Sequence, residues 1–310
     1  KRVSDPVSRS SFLLNTFVTV SLYEGGDEAV LDGCLKLCAQ YEDMLSKTRE
    51  GSEIYKLNHR APGERSLQVS EKTAKVIEKG LEYSRLSEGA FDITIEPLSS
   101  LWDFTSENPQ VPPEQEIGAA RERVDYRKVS VEGNVVTFAD DETALDLGAI
   151  AKGFIADELK AYLTEEGVES AIINLGGNVL CLGERPEGEP FRIGLQRPFA
   201  ERNEVVETLN IRDLSVVSSG VYERHFEQDG VNYHHLLNPR TGYPYDNGLV
   251  QVTIISPRSV DGDGLSTACF ALGVEEGSRL IESMEGIYGI FMTENGDIYY
   301  TEGAEEFVAS

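Results

Sequence analysis

The chain has 310 residues, with 28 Lys+Arg against 54 Asp+Glu and a formal charge of −26. So acidic a surface has no broad means of neutralising a nucleic-acid backbone or of docking on an anionic membrane; an anionic ligand must be held locally by a few cations or by a bound divalent ion. Hydrophobic residues make up 40% and no apolar run approaches the length of a membrane span, so the composition is that of a globular chain with ample core.

In chain order, KRVSDPVSRS (1–10) is polar and basic and reads as a tether, with 11–305 as one folded unit. FLLNTFVTVSLY (12–23) alternates and is rich in Val, Thr and Phe, which predicts one strand. Val30, Leu31, Cys34, Leu35, Cys38, Tyr41 and Leu45 recur at helical spacing over 27–46. None of the four cysteines forms a CxxC pair, so they read as buried free thiols rather than a zinc site. A loop containing LNHRAPGE follows, then a helix over 70–87 with Ser70 as its cap. Residues 88–104 read as irregular and aromatic, and 105–116, with three prolines, as a surface loop. Short strands with a Glu-Gly-Asn turn are expected over 125–148, a helix over 152–166, and a strand pair around Gly176 and Gly177. Residues 191–256 read as mostly strands, 263–284 as helical, and 287–301 as a hairpin turning at ENG. Helices and strand groups mix without a repeating βαβ unit, which favours α+β.

Four segments carry candidate chemistry. DLGAIAKG (146–153) combines Asp146, Gly148, Lys152 and Gly153 ahead of a helix, a turn able to offer N–H groups and a cation to phosphate, or simply a strand-to-helix turn capped by Asp146. Asp263 and Thr267 lie i,i+4 on one helix face, suited to a hard cation, or to an N-cap with a back-bonded Thr. His234 and His235 are adjacent in a chain with only four histidines; on a strand they face opposite ways, so at most one serves a given site. SSGVYER (218–224) sets small hydroxyls beside a glycine. GxSxG, GxGxxG and Walker A patterns are missing.

The order and full wording of DLGAIAKGF, AIINLGGNVLCLG, VVSSGVYERHF, HHLLNPRTGYPYDNGLVQVTIISP and DGDGLSTACFALG resemble the ApbE family, the FAD:protein FMN transferases, as do SEIYKLN and GAFDITIEPLSSLW. The resemblance implies an ApbE-like (T-fold-like) mixed domain with antiparallel sheets and flanking helices around a central flavin cleft. It also implies Mg²⁺ held by Asp263, Thr267 and a backbone carbonyl placed at Ala149. Ala90, Phe91, Asp92, Asp146, Lys152, Asp157 and Ser219 are expected at the cofactor, and His235, preceding the hydrophobic-hydrophobic-Asp-Pro position, as the catalytic proton acceptor.

The implied reaction is transfer of FMN from FAD to a Thr or Ser hydroxyl of an acceptor flavoprotein subunit, with release of AMP. The alternative is a Mg²⁺-dependent FAD pyrophosphatase giving FMN and AMP, and a third reading is a flavin binder without chemistry. Family members imply an exported, lipid-anchored lipoprotein facing outward from the cytoplasmic membrane. Two positions depart from the family pattern: Asn238 stands where Asp is usual, and Leu14, Asn15 and Thr16 stand where Met-Gly-Thr is common.

Overall fold

The computed structural model describes residues 5–201 and 204–310. Its frame is an eight-stranded antiparallel sheet whose strands follow one another in space in the order in which they occur in the chain. They are Val7–Leu13, Thr16–Glu24, Ser170–Leu175, Asn178–Leu182, Ser215–Gly220, Leu249–Ser256, Tyr288–Thr293 and Ile298–Tyr300. Thr16, Val18, Val20 and Leu22 point inward and their neighbours outward, the alternation a half-buried strand requires. All eight residues of Leu249–Ser256 are buried, so this central strand is covered on both faces.

The helices are α1 (Glu28–Leu45), α2 (Glu53–Asn58), α3 (Glu71–Leu86), α4 (Glu96–Trp102), α5 (Glu114–Arg121), α6 (Ala151–Glu165) and α7 (Ser259–Glu282). Helices α1, α3, α6 and α7 share one core with the inward residues of the sheet, among them Val18, Ile77, Ile155, Val252 and Phe270. The opposite face is covered by the hairpin Phe191–Gln196 and Val205–Ile211, through Phe191, Leu195, Leu209 and Ile211 against Val216, Ile255 and Ile290. A third cluster around Trp102, Leu98, Ile117 and Leu237 joins α4 and α5 to the loop after the small hairpin His225–Gln228 and Val231–His234. Burying each such side chain contributes roughly 1.5–3 kcal/mol. Among the described residues no helix is long and apolar enough to cross a membrane.

The architecture is the expected α+β class, and Cys34, Cys38, Cys181 and Cys269 are buried and free as read. Several elements differ from expectation, α2 and the first turn of α5 among them, since both fall in expected loops. Residues 12–23 are not one strand: Leu14 and Asn15 both take φ of 57° and turn the chain back, pairing Phe12 with Phe17. Two left-handed residues in a row make the primed turn that matches strand twist, and leucine hides that signal. Consequently Val7–Ser10, read as tether, belongs to an edge strand, while residues 1–4 lie outside the described residues. The irregular 88–104 stretch contains α4, with Pro97 in its first turn, where a missing N–H costs nothing. Helix α7 begins at Ser259, a full turn before Asp263, and kinks at Gly273 (φ 87°).

Candidate active site

The site forms where the N-terminal turns of α6 and α7 cross. Gly153 in α6 lies so close to α7 that a Cβ there would meet the Ser259 carbonyl oxygen at 2.4 Å and the Asp263 Cβ at 2.8 Å. Only glycine permits this approach. It lets the Gly153 N–H donate to Asp263 Oδ2 at 2.9 Å, so the Ala149 carbonyl, four positions back, is not consumed by that bond. Helix α6 has no side-chain cap at Ile150 and no acidic residue in its own first turn; the anion at its positive end is Asp263, supplied across the crossing by α7.

Asp263 is therefore neither the N-cap nor an exposed head-of-helix residue; it sits in the second turn of α7 and is only 8% exposed. The cap is supplied from α6. Asp157 accepts Ser259 N–H at 2.7 Å and Val260 N–H at 2.9 Å. Expected at the cofactor, Asp157 instead spends its carboxylate on the α7 backbone and so sets where Asp263 stands. Burial pushes Asp157 up to about 6, against the pull of those two donors. Burial likewise pushes Asp263 up to about 6, although the Gly153 N–H, Lys152 and Asn178 favour its ionised form. Beside it, the Asn178 amide nitrogen is buried without a closed hydrogen bond.

One turn on, Thr267 stands on the same face. Ser219 Oγ, from the end of the Ser215–Gly220 strand, lies 3.4 Å from Thr267 Oγ1 and 2.8 Å from Ser266 Oγ. Asp263, Thr267, Ser219, Gly153 and Lys152, read separately from the sequence, are thus brought together. Lys152 is electrostatically engaged with Asp263, and with two further groups, Glu223 and His235.

Asp146 organises the turn before α6. Its Oδ1 accepts Gly148 N–H at 2.8 Å, and its Oδ2 accepts Ser99 Oγ at 2.7 Å and lies 3.2 Å from Lys47 Nζ. Burial acts to raise this carboxyl, but Lys47, Ser99 and the Gly148 N–H outweigh it and hold Asp146 below its ordinary value. These contacts shape the turn.

The histidine pair divides as alternation requires. His234 is buried, with Nε2 against the Tyr245 carbonyl at 2.9 Å and Nδ1 accepting Leu236 N–H at 3.3 Å. His235 is the half-exposed member: Nδ1 is buried without a partner, and Nε2 lies 3.9 Å from Glu223 Oε2. Desolvation, then the positive charge of Arg224 with Lys152 adding to it, drives the His235 imidazole down to about 3; His234, itself pushed down to about 4 by burial, is neutral near pH 7. Glu223 is pushed up to about 7, chiefly by desolvation, while 40% of its side chain stays accessible.

The Ala90–Asp92 segment does not offer its side chains to this crossing. Phe91 is buried edge-on against Tyr83. Asp92 accepts Thr94 N–H at 2.8 Å, Thr94 Oγ1 at 2.6 Å and Tyr126 N–H at 3.0 Å. Of the three residues, Ala90 engages through its carbonyl, which accepts the Tyr245 hydroxyl at 2.8 Å. In this structure Phe91 makes an aromatic core contact and Asp92 closes an Asx turn.

Among the described residues no three His, Cys, Asp or Glu are grouped to hold a metal. The crossing offers the Asp263 carboxylate and the Thr267 hydroxyl, and the Ala149 carbonyl is not taken by the Gly153 N–H. All are hard oxygen donors, and the carboxylate is desolvated. That set fits a cation whose remaining ligands are phosphate oxygens and water, as Mg²⁺ prefers. Glu223, Asn178 and Lys47 were not assigned from sequence. Glu223 and Asn178 both carried a signal, lying inside the VVSSGVYERHF and AIINLGGNVLCLG motifs; Lys47 carried none.

A helix N-terminus faced by a desolvated carboxylate, with Lys152 beside it and the neutral His235 imidazole in that lysine's field, suits a phosphate-bearing ligand with a proton acceptor at hand. The comparisons with known proteins name the family. The chain belongs to the ApbE family, whose model matches residues 14–291. It is 40% identical to the FAD:protein FMN transferase of Klebsiella pneumoniae (strain 342), covering 94% of this chain and 90% of that protein. Among solved structures it resembles the ApbE protein of Thermotoga maritima, with a TM-score of 0.88 and 30% identity over 98% of this chain and 100% of the other. It also resembles the flavin transferase ApbE from Vibrio cholerae, with a TM-score of 0.88 and 28% identity over 98% and 99%.

Proposed function

We propose that this chain is an FAD:protein FMN transferase that moves FMN from FAD onto a Thr or Ser hydroxyl of an acceptor protein and releases AMP. The observation that carries the reading is the Gly153–Asp263 contact, which draws Asp263, Thr267, Ser219 and Lys152 around the N-terminal end of α6. The near full-length likeness to a protein of that name supports it.

In this reading the FAD pyrophosphate lies at the α6 turn, with Lys152 as a fixed cation beside it. Asp263, Thr267 and the Ala149 carbonyl would hold Mg²⁺, which when bound supplies charge neutralisation at the pyrophosphate. Ser219 orients the Thr267 hydroxyl, and Asp157 fixes the helix that carries both metal-facing residues. His235 Nε2 accepts the proton of the attacking hydroxyl. The burial that keeps the imidazole neutral keeps it ready to do so. We place the acceptor and the reaction on the outer side of the cytoplasmic membrane, on the strength of the family resemblance.

The test incubates the protein with FAD, Mg²⁺ and an acceptor domain carrying a threonine flavinylation site, reading acceptor mass and free nucleotides together. FMN on the acceptor with AMP released is the expected result. Free FMN and AMP beside an unmodified acceptor overturn the transfer step in favour of hydrolysis. FAD left whole overturns both enzymatic readings.

A further inference from the structure

We infer that Glu223 is the positioning residue of the proton-accepting step: its carboxylate stands at His235 Nε2 to hold the imidazolium that forms when the acceptor hydroxyl is deprotonated. The inference rests on the reading of His235 as the base and adds the group that makes that base workable.

The geometry follows from a ladder contact. His235 N–H donates to the Arg224 carbonyl at 3.0 Å, directly beyond the paired residues His225 and His234. That bond fixes the Glu223-Arg224 segment across from His235. Glu223 Oε2 lies 3.9 Å from Nε2, the ring nitrogen that is not buried in the protein. Helix α6 contributes Lys152 to this pair, α7 contributes Asp263, and the local segments contribute Arg224 and His234.

The charge pattern states the problem that Glu223 answers. His235 is faced by the cations Arg224 and Lys152 and by the neutral His234, and together with burial the two cations oppose a positive imidazole. A proton taken onto Nε2 in that company needs a compensating negative charge. In the transfer step the hydroxyl O–H bond breaks and its proton goes to Nε2. The oxygen forms a bond to the FMN phosphorus, and the P–O bond to AMP breaks with its electron pair leaving on AMP. Glu223 enters this step ionised and stays ionised, paired with the new cation. The same desolvation that raises Glu223 leaves part of the free enzyme with a protonated carboxyl near neutrality, so activity should climb with pH as that proton is lost.

The experiment compares Glu223→Gln, Glu223→Asp, His235→Asn and the double variant His235→Asn/Glu223→Gln in the complete transferase assay with acceptor protein. FAD binding by flavin fluorescence and thermal melting are followed in parallel. Glu223→Gln is expected to lower kcat by about 30- to 1000-fold with FAD affinity within threefold of the parent, as loss of proton-transfer assistance would do. It should also remove the rise in kcat near pH 7. Glu223→Asp should recover at least about tenfold of that loss. In the His235→Asn background the Glu223→Gln change should cost less than about twofold, because a residue acting through His235 has nothing left to act on. A kcat for Glu223→Gln within twofold of the parent overturns the proposal, as does an equal loss in both backgrounds. A Glu223→Gln effect confined to FAD affinity also overturns it, making Glu223 a binding residue. His235→Asn retaining near-parental activity instead overturns the reading of His235 as base, and is told apart because it appears in that single variant.

Discussion

Two buried aspartates, Asp92 in the turn after α3 and Asp263 in α7, are 9% and 8% exposed, yet they serve opposite ends. Asp92 is closed: two backbone N–H groups and the Thr94 hydroxyl fill it, and the turn it makes is complete without any ligand. Asp263 has one backbone donor at 2.9 Å, a neighbouring amide nitrogen without a closed bond, and a helix end opposite it. Burial raises both carboxyls, but only Asp263 is left with lone pairs facing other hard donors. Burial alone therefore does not mark a functional carboxylate. What marks it is burial that the protein leaves uncompensated.

The sharpest way to break this comparison is Asp263→Asn. The variant keeps an oxygen for the Gly153 N–H and removes the charge. Transfer should fall by at least about a hundredfold, since metal-assisted charge neutralisation is worth several kcal/mol. Stability should move the other way. With a folded-state pKa raised to about 6, above its unfolded value, Asp263 favours folding most at low pH and loses that advantage as pH rises through 6. In thermal melts at pH 7.5 without Mg²⁺ or FAD, Asp263→Asn should therefore melt above the parent, and the gap should close by pH 4. A variant that melts below the parent at pH 7.5 would place Asp263 with the structural carboxylates.

Gly153→Ala tests the crossing itself. The new Cβ would press on the Ser259 carbonyl and on Asp263 at sub-contact distances, so the two helices must separate. A loss of about 1–3 kcal/mol in denaturant unfolding, together with a rise in the Mg²⁺ concentration needed for activity, is the expected outcome. Unchanged Mg²⁺ dependence would mean that the helix approach does not set the metal-facing geometry.

Asp92→Ala is the counterpart. It strands the Thr94 and Tyr126 N–H groups in a buried turn and should cost about 2–4 kcal/mol by urea denaturation. In the folded fraction kcat should stay within about threefold of the parent. A selective loss of FAD affinity would place Asp92 at the ligand.

The contrast also explains what the sequence could and could not reveal. Asp263 and Thr267 were legible because i,i+4 spacing places two side chains on one helix face wherever the helix begins. The true start of α7 was not legible, since its cap, Asp157, comes from another helix about a hundred residues earlier in the chain. For Asp92 the family motif marks a position without saying that its carboxylate is engaged by Thr94 and Tyr126. The first hairpin was hidden by leucine at a left-handed position, where Gly, Asn or Asp would have announced the turn. Glu223 was within a quoted motif, but its meaning lies in a 3.9 Å approach to a residue twelve positions on.

Lys47→Met gives the smallest effect and probes a third kind of carboxylate, one held by a charge. Asp146 keeps Ser99 and the Gly148 N–H in the variant but loses the ammonium at 3.2 Å. Both side chains are about a quarter exposed or less, so the pair lies between a surface and a fully buried bridge, and its loss should cost about 1–3 kcal/mol at pH 7. Because Asp146 is held below its ordinary value, the stability it contributes is present at neutral pH and lost as pH falls through that lowered value. The melting difference between Lys47→Met and the parent should therefore shrink steadily below pH 4. Transfer should drop less than tenfold, through a looser 146–149 turn. A difference that stays constant down to pH 2.5 would show that Lys47 acts through its contacts with Ser99 and Ser100, and that the turn before α6 does not depend on the charge of Asp146.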